Sequence, residues 1–140
     1  VNFNRSHGTL VSSDQHVIYG ASSGLATCTP DYFALFTGQQ YGQDTGGGLD
    51  LTGYNTVKLD VYISQADGGD LLFLALNPRA DWSNQTGGAI DNTPAGTTGA
   101  FTLTCDISTW PDKTSVFFDI ESFNETPDTL TAYLGKLYAA

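Results

Sequence analysis

The sequence predicts an all-β domain, an antiparallel sandwich of two sheets. Three observations carry that expectation. Gly, Pro, Asn, Asp and Ser interrupt the 140-residue chain before any apolar stripe of helical period can form. The runs between these breaks are short and rich in β-branched and aromatic side chains. Several of them alternate strictly, which turns one face to a core and the other to solvent. Eight or nine such strands without helices require two sheets packed face to face.

In chain order the candidate strands are 9–12, 16–21, 32–37, 47–51, 57–64, 71–77, 101–107, 115–123 and 130–138. The first four are brief runs bounded by Ser, Asp, Gly and Pro. In 57–64 the odd positions Val57, Leu59, Val61 and Ile63 are apolar, and the even ones are polar or Tyr. The run 71–77 is apolar on both faces, which places it inside a sheet. Leu72, Leu74 and Leu76 point one way, and Phe73, Ala75 and Asn77 the other. In 101–107, Phe101, Leu103, Cys105 and Ile107 face in. In 115–123, Val116, Phe118 and Ile120 share one face, and Phe117, Asp119, Glu121 and Phe123 share the other. A face that mixes aromatics, carboxylates and an amide is neither an ordinary core nor an ordinary washed surface.

The length suits one domain, residues 1–140, with no linker, repeat or low-complexity tail. Five basic against fifteen acidic side chains give a net charge of −10. Too few cations are present to neutralise phosphates, so neither nucleic acid nor an anionic membrane surface is an expected partner. Neutral polymers, and cations such as calcium, remain open. No apolar run approaches the ~20 residues of a membrane span. The sequence contains no Met, so we expect excision from a longer protein or removal of a signal, the former being favoured.

Cys28 and Cys105 stand far apart, with no zinc-type spacing. The low charge and scarce Lys suggest an extracellular, secreted chain, and hence a Cys28–Cys105 disulfide. Its closed loop would contribute about 4 kcal/mol in the chain-entropy view. Two buried thiols are the alternative. Sequons begin at Asn4, Asn84 and Asn124.

The stretch Gly48-Leu49-Asp50-Leu51-Thr52-Gly53-Tyr54-Asn55-Thr56-Val57-Lys58-Leu59-Asp60-Val61-Tyr62 resembles a segment of jelly-roll carbohydrate-binding modules. There a turn of the form (L/V)D(L/I)SGY leads into a strand LxFDVY. Leu130-Thr131-Ala132-Tyr133-Leu134-Gly135-Lys136-Leu137-Tyr138 resembles their closing strand. The resemblance implies a galactose-binding-domain-like jelly roll appended to a polysaccharide-degrading enzyme. Many such modules hold a structural calcium through an Asp of the closing strand. The matching position here is Gly135, followed by Lys136. A calcium ion would therefore need other oxygen ligands, such as Asp67, Asp70 or Asp91.

Neutral sugars are held by aromatic rings stacked on their C–H faces and by planar polar groups gripping hydroxyls. The segment Asn77-Pro78-Arg79-Ala80-Asp81-Trp82-Ser83-Asn84-Gln85 supplies both. In that reading Trp82 stacks, and Asn77, Arg79, Asp81 and Gln85 bind hydroxyls. In the competing one Trp82 covers an end of the sandwich, and Arg79–Asp81 is a surface ion pair of little energy. A second candidate is a patch of Lys58, Asp60, Tyr62, Phe73, Asn77, Asp119 and Glu121, formed if their strands are neighbours. Its alternative is a solvated face with cross-strand aromatic fillers. Tyr32, Tyr41 and Tyr54 lie near turns, and Tyr32 joins the candidate site. Trp110 reads as a cap on the core. His7 and His16 carry no local metal motif.

Asp119 and Glu121 are the only suggestion of a glycosidase pair, and such carboxylates usually come from separate strands across a cleft. No nucleophile or zinc-protease motif is present. The expectation is a non-catalytic, monomeric carbohydrate-binding module. It would target a parent catalytic domain to a soluble or amorphous polysaccharide, a β-glucan or hemicellulose. The rivals are a protein-interaction sandwich of a cell-surface or scaffold protein, and a small jelly-roll hydrolase or lyase.

Overall fold

The computed structural model of the chain describes residues 4–6, 9–17, 20–21, 23–28, 34–37, 39–40, 43–44, 48–78, 88–123 and 130–140. These contain β-strands and no helix. The strands are β1 (Asn4–Ser6), β2 (Thr9–Ser13), β3 (Ser23–Cys28), β4 (Ala34–Phe36), β5 (Gln39–Gln40), β6 (Gln43–Asp44), β7 (Thr56–Gln65), β8 (Leu71–Asn77), β9 (Ala89–Asn92), β10 (Gly99–Asp106), β11 (Phe117–Phe123) and β12 (Leu130–Ala139). One sheet has the order β1-β4-β11-β8-β9 and the other β10-β7-β12-β3-β2. β5 and β6 form a short separate pair. Every pairing is antiparallel. The predicted two-sheet sandwich is the observed fold.

The core lies between the sheets and follows from the alternation. The first sheet supplies Leu72, Leu74 and Leu76 from β8, and Phe118 and Ile120 from β11. The second supplies Val57, Leu59, Val61 and Ile63 from β7, Leu103 and Cys105 from β10, and Ala26 and Cys28 from β3. Leu130, Ala132 and Leu134 of β12 complete it, with Leu137 and Ala139 packed at one end. β8 has a neighbour on each side, as its double-sided apolar run requires. Trp110 is half-buried against this core, in the capping position read from the sequence.

Two predicted strands are not seen among the described residues. In the 16–21 region His16, Gly20 and Ala21 are bends and Val17 is unassigned, and residues 18–19 lie outside the described residues. His16 has a left-handed φ of 47°, which ends extended backbone there. The 47–51 stretch makes a single bridge, Leu49 to Val116. Gly48 lies so close to the next strand that an added Cβ would meet the Val116 backbone at 2.8 Å. β3 and β9 are additional strands, built from small or mixed residues that alternate weakly.

The disulfide is also overturned: Cys28 and Cys105 are both buried and are not joined to each other. Cys105 points inward as expected and Cys28 does so from β3, but β12 and β7 separate their strands. Three inter-strand steps amount to roughly 14 Å. Along the sheet, Cys28 pairs with Leu130, whose neighbour Thr131 pairs with Gln65, whereas Cys105 pairs with Val57. That is about 26 Å of strand at ~3.3 Å per residue. A disulfide needs Cα atoms within about 7 Å. Burial, chiefly, and then the negative charge of Asp91 push the Cys105 thiol up to about 12. Its Sγ donates instead to the Leu74 carbonyl, 3.3 Å away.

Candidate functional site

The seven-residue patch expected from the sequence divides between the two outer faces. Lys58, Asp60 and Tyr62 lie on β7 of the second sheet. Phe73 and Asn77 on β8, and Asp119 and Glu121 on β11, lie on the first. Outward side chains of stacked sheets point in opposite directions, with sheets about 10 Å apart between them. One ligand cannot bridge the two sets. The cause is the 66–70 connection, which resembles a hairpin in sequence but carries the chain from one sheet to the other.

The outer face of the first sheet is the more unusual. Register places Phe117 opposite Asn77, Asp119 opposite Ala75, and Glu121 opposite Phe73. β9 continues two of these rows, with Ile90 opposite Ala75 and Asn92 opposite Phe73. Phe73, Ala75 and Phe117 form an apolar cluster separate from the main core, as expected for the far side of the sheet. Asn77 and Asp119 also point away from the core, yet each has 0% exposure. Each is engaged with a neighbouring group, as are Glu121 and Ser122. Ile90 and Phe123, by contrast, stand 62% and 59% exposed on this face. Buried planar polar groups therefore sit beside accessible apolar side chains.

At the Asn77–Phe117 end, Thr37 ties β4 to β11. Its amide donates to the Phe118 carbonyl, and its hydroxyl accepts from the Phe118 amide, both at 2.8 Å. The 78–88 connection leaves β8 at this same end and enters β9 at Ala89. It carries Arg79, Asp81, Trp82 and Gln85, which lie outside the described residues, as do Tyr32 and Tyr41. Asn77 is thus the one member of the Trp82 segment, besides Pro78, that the structure describes.

The outer face of the second sheet is organised differently. The Thr102 hydroxyl donates to Asp60 Oδ1 at 2.7 Å. The His16 ring stacks on Tyr62, with centroids 3.8 Å apart and planes 9° apart. Tyr133 tilts against His16 at 4.7 Å, and its hydroxyl donates to Gln15 Oε1 at 3.1 Å. One face of Tyr62 is therefore occupied by the chain itself. His16 and Tyr133 were not singled out for this face, because a bend 40 or more residues away gives no local signal. Lys58 stands opposite Thr104 and Tyr138.

The acidic residues named for calcium have other tasks. Asp70 is buried, and its Oδ2 accepts from the Asp67 amide at 3.1 Å, closing their turn. Asp91 Oδ2 accepts from the Thr104 amide at 2.8 Å and so joins β9 of one sheet to β10 of the other. Among the described residues no group of three or more His, Cys, Asp or Glu side chains is gathered to hold a metal ion. Tyr54 is exposed beside the sandwich end, where Lys113 Nζ donates to its carbonyl at 2.7 Å.

No family model and no curated protein matches the chain. Solved structures do. A module from a study of promiscuous specificity in β-sandwich carbohydrate-binding modules superposes with a TM-score of 0.64 at 15% identity; the match covers 99% of this chain and 56% of that one. The TmCBM61 module in complex with β-1,4-galactotriose gives 0.57 at 11% identity, covering 99% and 87%. The family 11 module from Clostridium thermocellum, in complex with a β-1,3-1,4-mixed-linked tetrasaccharide, gives 0.51 at 7% identity, covering 95% and 86%. The chain accordingly has the β-sandwich fold of the carbohydrate-binding modules.

Proposed function

We propose that this chain is a non-catalytic carbohydrate-binding module that holds a β-linked glycan chain on the outer face of its first sheet. The observation that carries the reading is the composition of that face. Asn77, Asp119 and Glu121 project from adjacent strands beside Phe73 and Phe117, and the Trp82-bearing connection springs from the same end. Glu121 and Phe73 are the partly exposed members and would meet the glycan, while the fully buried Asn77 and Asp119 hold the strands beneath them in place, so little freedom is lost on binding. Aromatic rings beside them suit the C–H faces of pyranose units. In this reading Trp82 stacks on the sugar, and Arg79, Asp81, Gln85 and Tyr32 border the chain. Lys58, Asp60 and Tyr62 lie on the opposite outer face and drop out of this site.

Two of the similar folds are complexes with β-linked oligosaccharides, which supports a soluble β-glucan or related hemicellulose. The acidic charge disfavours polyuronates and sulfated glycans. Attached to a secreted polysaccharide-degrading enzyme, the module raises the local concentration of the catalytic domain on its polymer.

Native affinity electrophoresis in gels containing mixed-linked β-glucan, β-galactan or xylan tests the proposal. Retardation without chain shortening is expected, and Trp82→Ala should weaken it by about 1–3 kcal/mol, the size of an aromatic hot spot. Unaltered migration in every gel would favour a protein-binding sandwich. Release of reducing ends would identify a hydrolase.

A further inference from the structure

We propose that one end of the sandwich contains a second binding site, a preformed apolar cavity for a neutral, ring-sized hydrophobic molecule. Leu49, Leu51, Val57, Phe118, Leu137 and Ala139 line a space of about 380 Å³ between the two sheets. Val57, Phe118 and Leu51 are core residues, at 1%, 2% and 6% exposure, so the space reaches into the interior.

The cavity arises from a local irregularity in β12. Leu134 pairs with Val61 and Leu137 with Leu59, so Gly135 and Lys136 together oppose Asp60. Without this bulge, strict alternation from Leu134 would send Lys136 and Tyr138 inward. The extra residue reverses the parity, and Leu137 and Ala139 face the core instead. The side chain of Lys136 lies over the Tyr138 ring, 4.8 Å from its centroid. A small Ala thus lines the space at this end of the sandwich.

Backbone hydrogen bonds keep the walls apart. Leu49 and Val116 exchange bonds of 2.9 and 2.8 Å, and the Leu51 amide donates to the Lys113 carbonyl at 2.8 Å. Asn55 and Thr56 both donate to the Ala140 carbonyl, while the Ala140 amide donates to Thr56. A frame bonded to both sheets cannot collapse into the space without breaking these bonds.

The walls select the occupant. Small-molecule sites usually measure about 300–1,000 Å³, and dry cavities of about 150 Å³ already accept benzene. A stable buried water needs two to four polar partners. Among the described lining residues, Tyr138 alone has a polar side-chain atom. A saccharide would lose its hydroxyl hydration without replacement. The net charge of −10 disfavours anionic amphiphiles such as fatty carboxylates. A neutral aromatic or cycloaliphatic ring meets all three conditions.

Benzene is the probe. Titration should raise Tm progressively. It should also shift the methyl resonances of Leu49, Leu51, Val57, Leu137 and Ala139 while leaving those of the opposite end unmoved. Ala139→Leu fills the space and should weaken benzene binding at least tenfold. Leu49→Phe, which narrows the other wall, should do the same if the first variant folds poorly. Absence of saturable shifts at these methyls in the unaltered protein would overturn the proposal, as would equal benzene affinity in a folded filled variant. Both readouts are independent of glycan binding.

Discussion

Asp91 offers the most direct test of how the two sheets are joined at their edge. It sits on β9, the edge of the first sheet, and accepts from the Thr104 amide of β10, the edge of the second. Its other oxygen accepts from the Asn92 amide at 2.9 Å. Replacing Asp91 with Ala removes both bonds. A hydrogen bond to a charged group is worth about 1.5–3 kcal/mol, and a neutral one about 1 kcal/mol. Thr104 and Asn92 are exposed, so water takes over both amides and brings the cost toward the lower end. The expected loss is therefore about 1–2 kcal/mol, or roughly 3–7 °C in Tm for a domain of this size. Asp91→Asn retains an acceptor oxygen and should recover about half of it. Urea unfolding should show a lower midpoint with an unchanged slope, because the exposed surface on unfolding is the same. Hydrogen exchange of the Thr104 amide should accelerate. Stability within about 0.3 kcal/mol of the parent, or unchanged Thr104 exchange, would refute this account of the edge.

Other expectations follow from the same geometry. With Cys28 and Cys105 on distant strands, Tm should be the same in oxidising and reducing buffer; a fall on adding dithiothreitol would contradict the fold. Neither thiol should react with a disulfide reagent at pH 8 until the chain unfolds, since the Cys105 thiol titrates only near 12. The carboxyls of Asp50, Asp106 and Asp112 are held below 3.8, chiefly by the hydroxyls and then the amides of Thr52, Ser108 and Thr114. Their stabilisation is complete above 3.8 and is lost as pH falls through the lower folded values. Replacing all three with Asn should flatten the acid limb of a stability–pH curve, and an unchanged limb would exclude them. Gly96 has a φ of 65°, and an added Cβ would lie 2.5 Å from the Gly68 carbonyl oxygen. Gly96→Ala should cost about 1–3 kcal/mol in denaturant unfolding; a neutral effect would mean that the 66–70 turn relaxes freely.

The inward and outward sets of β7, β8, β10 and β11 were legible because period-two alternation is a local property of each strand; those of β12 were not, because its bulge reverses the parity after Leu134. Partition between sheets was not. The five residues from Ala66 to Asp70 suit a hairpin as well as a crossing between layers, and only the latter separates Tyr62 from Phe73. The cysteines show the same limit: parity put Cys105 inside, but Cys28 lay in no expected strand and nothing in the spacing revealed the two strands between them. β3 escaped because Gly24 and Ala26 pack closely without a strong apolar signature; a Cβ on Gly24 would come within 3.1 Å of Leu10 Cδ1. In the candidate site, the shared orientation of Asp119 and Glu121 was readable from one strand. Their juxtaposition with Phe73 and Asn77 depended on β8 and β11 being neighbours, which is a long-range fact. Asp91 was read as a candidate calcium ligand because its partner amide lies on the opposite layer and gives no local signal.

β12 occupies the middle of the second sheet, between β7 and β3. During synthesis the pairs β2–β3 and β7–β10 emerge earlier, but each has a raw inner margin until residues 130–139 leave the ribosome. Consolidation of this layer must therefore await β12, as expected when pairing depends on a distant segment. In the interval the unsatisfied margins of β3 and β7 are the places where a newly made chain is most open to chaperones or to mispairing with another copy.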